Sequence, residues 1–377
     1  MAFWVRLVLV AIATNAVLIQ TIATDNSTLK NTTRVVILLV TVFLMFMRRT
    51  IIPEWVIGLA LVSAVLLLLT GNLDQLTIIY VLLAVPAMWS IDERALTKSV
   101  MIASVFALVL IFALLAAGLT SNQLDVSQTW VTADVRSRYT FGTASIPFFM
   151  NVVYGAAVSV IYYAYRWRLR RRFLLALLTL AGTYWIYTRT DGRGGFLAVL
   201  LFCGLAVALP WLIRYQLFRG LLAIQPVLFL GFTIWLMTQR DDPYVNQFFS
   251  FRPMLYGQFL DTTTFWDLLT STTVKQGEVT TVDSSYLHLL FGAGLVISVV
   301  FCILFGKAVL TMARRRMTLE LAFLTSVMAY GALESILIRA DLVFILFAWY
   351  LIMRYSMGEK ASDPALFTPS GRRGLPV

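Results

Sequence analysis

The chain has 377 residues, 60% of them hydrophobic and only 13% charged, with a mean hydropathy of +0.83. A soluble domain is about half apolar and about one quarter charged, so this chain has too few charges to coat a soluble surface of its size. The net charge of +11 does not imply nucleic acid, because the basic residues fall in short segments between apolar blocks.

The apolar blocks run to about 20 residues, the length that crosses the hydrocarbon core of a bilayer as a helix. No run of short alternating strands suggests a barrel. The expected fold is therefore an all-α, polytopic integral membrane protein forming a single transmembrane domain over residues 1–377. In chain order the spans are expected at 3–23, 34–48, 52–70, 76–91, 99–119, 147–165, 173–189, 196–213, 220–238, 284–305, 320–338 and 341–356, about a dozen. The first block lacks a strongly basic start and a clear cleavage site, so it reads as a retained helix rather than a signal peptide.

Basic residues mark the cytoplasmic side of a membrane protein. With the N-terminus inside, the cytoplasmic segments collect Arg6, Arg48, Arg49, Arg94, Lys98, the five arginines between Arg166 and Arg172, Arg214, Arg219, Lys307, Arg314–Arg316, Arg354, Lys360, Arg372 and Arg373. Both termini are then cytoplasmic, with a tail over 357–377. The two long segments on the other side are periplasmic loops at 120–146 and 239–283. The second is aromatic and partly amphipathic, suiting a helix in the membrane interface. Glycosylation sequons at Asn26 and Asn31 carry little weight, since the pattern is common by chance.

Cys203 and Cys302 lie inside apolar runs and read as small hydrophobes. A single histidine, His288, excludes a multi-histidine metal site. No nucleotide-binding or other cofactor motif is present, and none is expected.

Three outer features can carry chemistry. Arg189-Thr190-Asp191-Gly192-Arg193-Gly194-Gly195 reads either as a tight turn whose glycines take positive φ, or as an anion site of two arginines at a helix start. Arg252, in Ser250-Phe251-Arg252-Pro253, is either a solvated charge or a phosphate contact at headgroup level. Asp283-Ser284-Ser285-Tyr286-Leu287-His288 opens a span. Asp283 reads as a helix cap, with Ser284 or Ser285 as alternatives, or as a base, and His288 lies about a turn and a half beyond. On helical spacing Asp283 and His288 point about 140° apart. Arg136, Arg138 and Arg339 are candidates to join the same outer site. Several arginines with a carboxylate and a histidine suit a diphosphate leaving group.

Arg-Gly-Gly between two helices, an arginine early in a long outer loop, and Asp-Ser-Ser-Tyr-Leu before a glycine-leucine resemble the O-antigen polymerase and ligase superfamily (Wzy and its relatives), mainly over 185–300. The resemblance implies an inner-membrane glycosyltransferase that polymerises polyprenyl-diphosphate-linked oligosaccharide units into O-antigen or a related surface polysaccharide. Its implied partners are that lipid-linked oligosaccharide, membrane lipid and a polysaccharide chain-length regulator. Arg193 and Arg252 match its diphosphate-contacting positions, with Arg189 and Arg339 as further candidates. Tyr286, Arg136 and Arg138 are candidates for the glycan. Asp283 and His288 are the candidate catalytic residues. Asp283 stands where the ligase branch usually has a histidine, which favours polymerisation over ligation to a lipid A core. A flippase for lipid-linked sugars would need a polar path, whereas charges within spans are few, chiefly Glu334.

Overall fold

The computed structural model describes residues 2–23, 52–89, 91–128, 135–249, 251–272 and 283–357, with shorter pieces between 28 and 43 and at 275–276 and 280–281. The chain is mostly helical: α1 (Ala2–Ile19), α2 (Glu54–Thr70), α3 (Asp74–Ala87), α4 (Glu93–Ala116), α5 (Ile146–Arg166), α6 (Arg172–Thr190) and α7 (Arg193–Leu212) make its first part. Then follow α8 (Gln216–Ala223), α9 (Gln225–Thr238), α10 (Pro243–Phe248), α11 (Arg252–Thr262), α12 (Phe265–Thr270), α13 (Ser285–Leu287), α14 (Leu295–Arg314), α15 (Thr318–Gly331) and α16 (Val343–Ser356).

Among the described residues, α4, α5, α7 and α14 are long and apolar enough to cross a membrane, and the bent pair α8–α9 adds a fifth if it is one span. The bend is 60° and falls at Ile224 (φ −95°, ψ 8°), with Pro226 in the first turn of α9, where a proline starts a helix without losing a helical hydrogen bond. α1, α2, α3 and α16 are apolar but shorter. The span expected at 34–48 is described only at 35–37, 39–41 and 43, and the sequon asparagines Asn26 and Asn31 and the tail from 358 on lie outside the described residues.

The core is built on α5 and α16. α16 is buried from Val343 through Met353, and α5 buries nearly every side chain. A helix apolar on every face belongs inside a bundle. α1 packs on α4, α4 and α7 on α5, α15 on α7, and α14 on α16. The outer helices leave Val109, Leu197, Val207 and Ile303 exposed, as helices facing lipid do.

The expected span 284–305 is broken. α13 passes into a π-helical turn at His288–Gly292, Gly294 takes φ +87°, and only then does α14 begin. Backbone groups freed at such a break must be satisfied inside the protein. Here the Gln75 amide donates to the carbonyls of Gly292 (3.1 Å) and Ala293 (2.9 Å), and the Asn72 amide to Gly292 (3.1 Å). The loops are also more regular than expected. Leu124–Gln128 and Val135–Tyr139 pair as an antiparallel hairpin, Lys275–Gln276 and Thr280–Thr281 pair as a shorter one, and 239–283 holds α10, α11 and α12.

Candidate functional site

A cavity of about 480 Å³ opens at one end of the bundle. Its wall comes from α1 (Asn15, Gln20), the start of α3 (Asp74, Thr77), the start of α5 (Ser145, Asn151), Asp283 with His288, and the stretch Glu334–Asp341. α5 begins at this cavity and ends at Arg166. Its 21 residues rise about 31 Å at about 1.5 Å each, close to the hydrocarbon thickness. The cavity and the arginine-rich segment 166–172 thus sit a membrane's width apart.

Local sequence fixes the wall. The Ser145 hydroxyl caps α5 by accepting from the Phe148 amide at 3.3 Å, with Pro147 in the first turn. Ser284, rather than Asp283, caps α13, its hydroxyl accepting from the Leu287 amide at 3.5 Å. Asp283 precedes the helix, and its backbone carbonyl accepts from the Tyr256 hydroxyl at 2.6 Å. The 140° separation expected from helical spacing therefore does not apply: Asp283 and His288 line the same cavity. His288 Nδ1 lies 3.7 Å from the Asp74 carboxylate, a neighbour that nothing in the local sequence around either residue announces.

Glu334 does not sit in a helix. α15 ends at Gly331, and Glu334 lies in irregular chain before α16. It is buried, and its carboxylate is 3.4 Å from Arg252 Nη2. Burial pushes the Glu334 carboxyl above its ordinary value; Asp283 adds to this, while Arg252 and Arg339 oppose it. Asp283 is likewise raised, chiefly by burial and against the pull of Arg252, His288 and Arg339. Arg339 lines the cavity, pairs with Asp341 at 2.5 Å and lies over the Phe148 ring at 5.3 Å.

The Arg-Gly-Gly segment meets this site from the side. Arg193 opens α7, is 58% exposed, and pairs with Asp191 at 3.1 Å. Arg138, in the hairpin, reaches the same Asp191 at 3.7 Å. The left-handed residue of the turn is Asp191 (φ +47°), not one of its glycines. Gly194 and Gly195 serve close approach instead. A Cβ on Gly195 would stand 3.0 Å from Met150 and 3.2 Å from the Tyr330 hydroxyl, and one on Gly194 would stand 4.0 Å from the Glu334 carboxylate. Of the two candidate diphosphate arginines, Arg252 contacts Glu334 directly, whereas the Arg193 side chain pairs with Asp191 and does not line the cavity.

Other candidates lie elsewhere. Tyr286 is in the core, its hydroxyl donating to the Met328 carbonyl at 2.9 Å, and does not line the cavity. Arg189 is exposed near the end of α6. Arg136 is in the hairpin strand, but its side chain lies outside the described residues. Among the described residues no group of three metal-ligating side chains forms. No protein-family model, curated protein or solved structure matches the chain.

Proposed function

We propose that this chain is a bacterial inner-membrane glycosyltransferase of about 12 spans, with both termini cytoplasmic, that polymerises polyprenyl-diphosphate-linked oligosaccharide units on the periplasmic face. The observation that supports it best is the cavity holding Asp283, His288 and Arg339, with Arg252 against its Glu334 wall, a membrane's width from the arginine cluster of 166–172. The acceptor hydroxyl oxygen attacks the anomeric carbon of the donor chain. The bond to the diphosphate oxygen breaks, its electron pair leaves with the polyprenyl diphosphate, and Asp283 takes the hydroxyl proton. Arg252, Arg193 and Arg339 balance the charge that gathers on the leaving group. The lipid-linked donor is the partner this reading requires, and a chain-length regulator is a further partner consistent with it.

A second reading, ligation of a finished glycan to a lipid A core, draws on one observation: His288 shares the cavity with Asp283 and has Asp74 beside it. Incubating the purified protein with a lipid-linked repeat unit alone separates the readings. A ladder of products is expected. Reaction only when lipid A core is added supports ligation, and translocation across vesicles without transfer supports a flippase and removes both.

A further inference from the structure

Each of the four candidate arginines that approach the outer site already holds a carboxylate. Arg193 and Arg138 share Asp191, Arg339 holds Asp341, and Arg252 holds Glu334. A diphosphate entering such a site must take an arginine from its resident partner. The four pairs differ in how readily they give way. Arg339 grips Asp341 with two nitrogens, at 3.1 and 2.5 Å, two residues along the chain. Arg252 reaches Glu334 with one nitrogen at 3.4 Å, across 82 residues, and the same nitrogen donates to the Leu333 carbonyl at 3.1 Å. Its buried Nε has no hydrogen-bond partner among the described residues. A guanidinium can donate five hydrogen bonds in a planar fork, so much of its capacity remains open to a second acceptor.

Resting on the reading above, we infer that Glu334 is the exchange partner of Arg252: the donor diphosphate displaces it on binding, and it reclaims the arginine when the diphosphate product leaves. Two physical features favour this. Once ionised, Glu334 is a like charge beside an anion site, so it opposes the ligand as well as competing for the arginine. Its place near the first turn of α7, by Gly194, gives the displaced carboxylate the favourable end of a helix dipole. Its carboxyl is also the one that burial and Asp283 push upward, so charge on it is held mainly by Arg252 and Arg339. Removing Arg252 from its side lowers the cost of taking up a proton. Glu334 is thus a positioning residue: it touches Arg252 rather than the reacting atoms.

The test measures binding of inorganic diphosphate to the purified full-length protein by calorimetry at fixed ionic strength and at a pH above about 8, the value to which burial and Asp283 push the Glu334 carboxyl. Glu334→Gln should bind it about tenfold more tightly than the wild type, the ratio that corresponds to about 1.4 kcal/mol. In turnover assays with lipid-linked donor, the same variant should show a lower KM, a lower kcat and stronger inhibition by added diphosphate. A merely structural role gives the opposite sign, with weaker binding and a raised KM. Glu334→Asp withdraws the carboxylate by one methylene and should tighten binding by a smaller factor; it decides the matter if the Gln protein does not fold. Wild-type binding that neither variant tightens overturns the role of Glu334 and leaves the diphosphate site standing. No binding by wild type or variants overturns both.

Discussion

The Ser285 hydroxyl donates to the backbone carbonyl of Glu334 at 2.5 Å and accepts from the amides of Ile336 (2.8 Å) and Leu337 (3.1 Å). One side chain thus satisfies three backbone groups of the irregular turn that carries Glu334 and Arg339, and ties it to the segment that carries Asp283 and His288. Ser285 and Glu334 are 49 residues apart in sequence and both buried.

Ser285→Ala should therefore cost more than a typical lost hydrogen bond. It leaves the Leu337 amide without this partner, at about 1–3 kcal/mol for a group left unsatisfied, and weakens the hydrogen bonding of the Glu334 carbonyl and the Ile336 amide, which keep their bond to each other at 3.0 Å. Partial relaxation keeps the expected total near about 3 kcal/mol. Denaturation in mild detergent should show the loss of stability, and activity should fall with it. A Ser285→Ala protein as stable as wild type would mean that the turn holds without this tie.

Asp283→Asn separates basicity from structure more cleanly than the sequence allowed. Capping belongs to Ser284, and the Asp283 backbone carbonyl, not its side chain, receives the Tyr256 hydroxyl. The Asn protein should fold, bind donor and form no ladder, while His288→Gln retains activity. Normal polymer from Asp283→Asn would move the base to His288 or remove the need for one. The pH dependence follows from the same group. The base works as the carboxylate, so the rate falls as pH drops through the folded-state value. Burial has raised that value, so the acid limb should stand above the ordinary carboxylate range, and Asp283→Asn should abolish it together with the rate.

Arg193→Lys keeps the charge but loses the fork that meets two oxygens at once. Arg193 is exposed and, among the described residues, holds Asp191, so the substitution should leave stability near wild type. Polymer formation should drop about tenfold or more, a loss of about 1.4 kcal/mol in the transition state. Wild-type rates in the lysine protein would remove Arg193 from the diphosphate site.

The long apolar helices are legible in the sequence because apolar length is a one-dimensional signal. The blocks at 147–165, 173–189 and 196–213 correspond to α5, α6 and α7 within about three residues, and the block at 99–119 to α4, which starts six residues earlier, at Glu93. The block at 284–305 misleads for a physical reason. Its backbone break is satisfied by Asn72 and Gln75, far away in the chain, and a hydropathy window sees neither. Asp283, His288, Arg252 and Arg339 are legible as candidates because charges are rare here and stand out. Asp74 and Glu334 are not, since each reads locally as a helix-end or within-span charge. The role of Gly194 and Gly195 is visible only once Met150, Tyr330 and Glu334 are packed against them.

At the far end of α5, Arg166 lies between Glu93 (3.0 Å) and Glu320 (2.9 Å), and the Tyr162 hydroxyl donates to Glu320 at 3.1 Å. The cluster joins α4, α5 and α15. Glu320 is buried while the Arg166 side chain keeps 35% of its exposure, so water screens part of the attraction. Breaking a fully buried pair costs about 3–5 kcal/mol, and for this half-open one we expect about 2 kcal/mol from Glu320→Gln. The loss should show as a lower unfolding midpoint in detergent with the outer site still able to bind inorganic diphosphate. Unchanged stability would make the cluster incidental.

The orientation can be read directly with introduced cysteines. Arg170 is exposed beside the α5–α6 turn, and the Asp241 side chain is 95% exposed at the start of the 239–283 loop. Thr272 is a poorer reporter for that loop, because it is half-buried and its amide donates to the Phe291 carbonyl at 2.8 Å. Cys203 and Cys302 are partly buried in apolar helices and are replaced by serine or alanine first. In the proposed orientation the five arginines of 166–172 mark the cytoplasmic end of α5, and a helix rising about 31 Å puts its other end on the opposite face. In intact cells an impermeant thiol reagent should therefore label Asp241→Cys and leave Arg170→Cys untouched until the membrane is opened. Labelling of Arg170→Cys from outside would invert the protein and put Asp283, Glu334 and the cavity in the cytoplasm. A periplasmic polymerisation of lipid-linked units would then have no site.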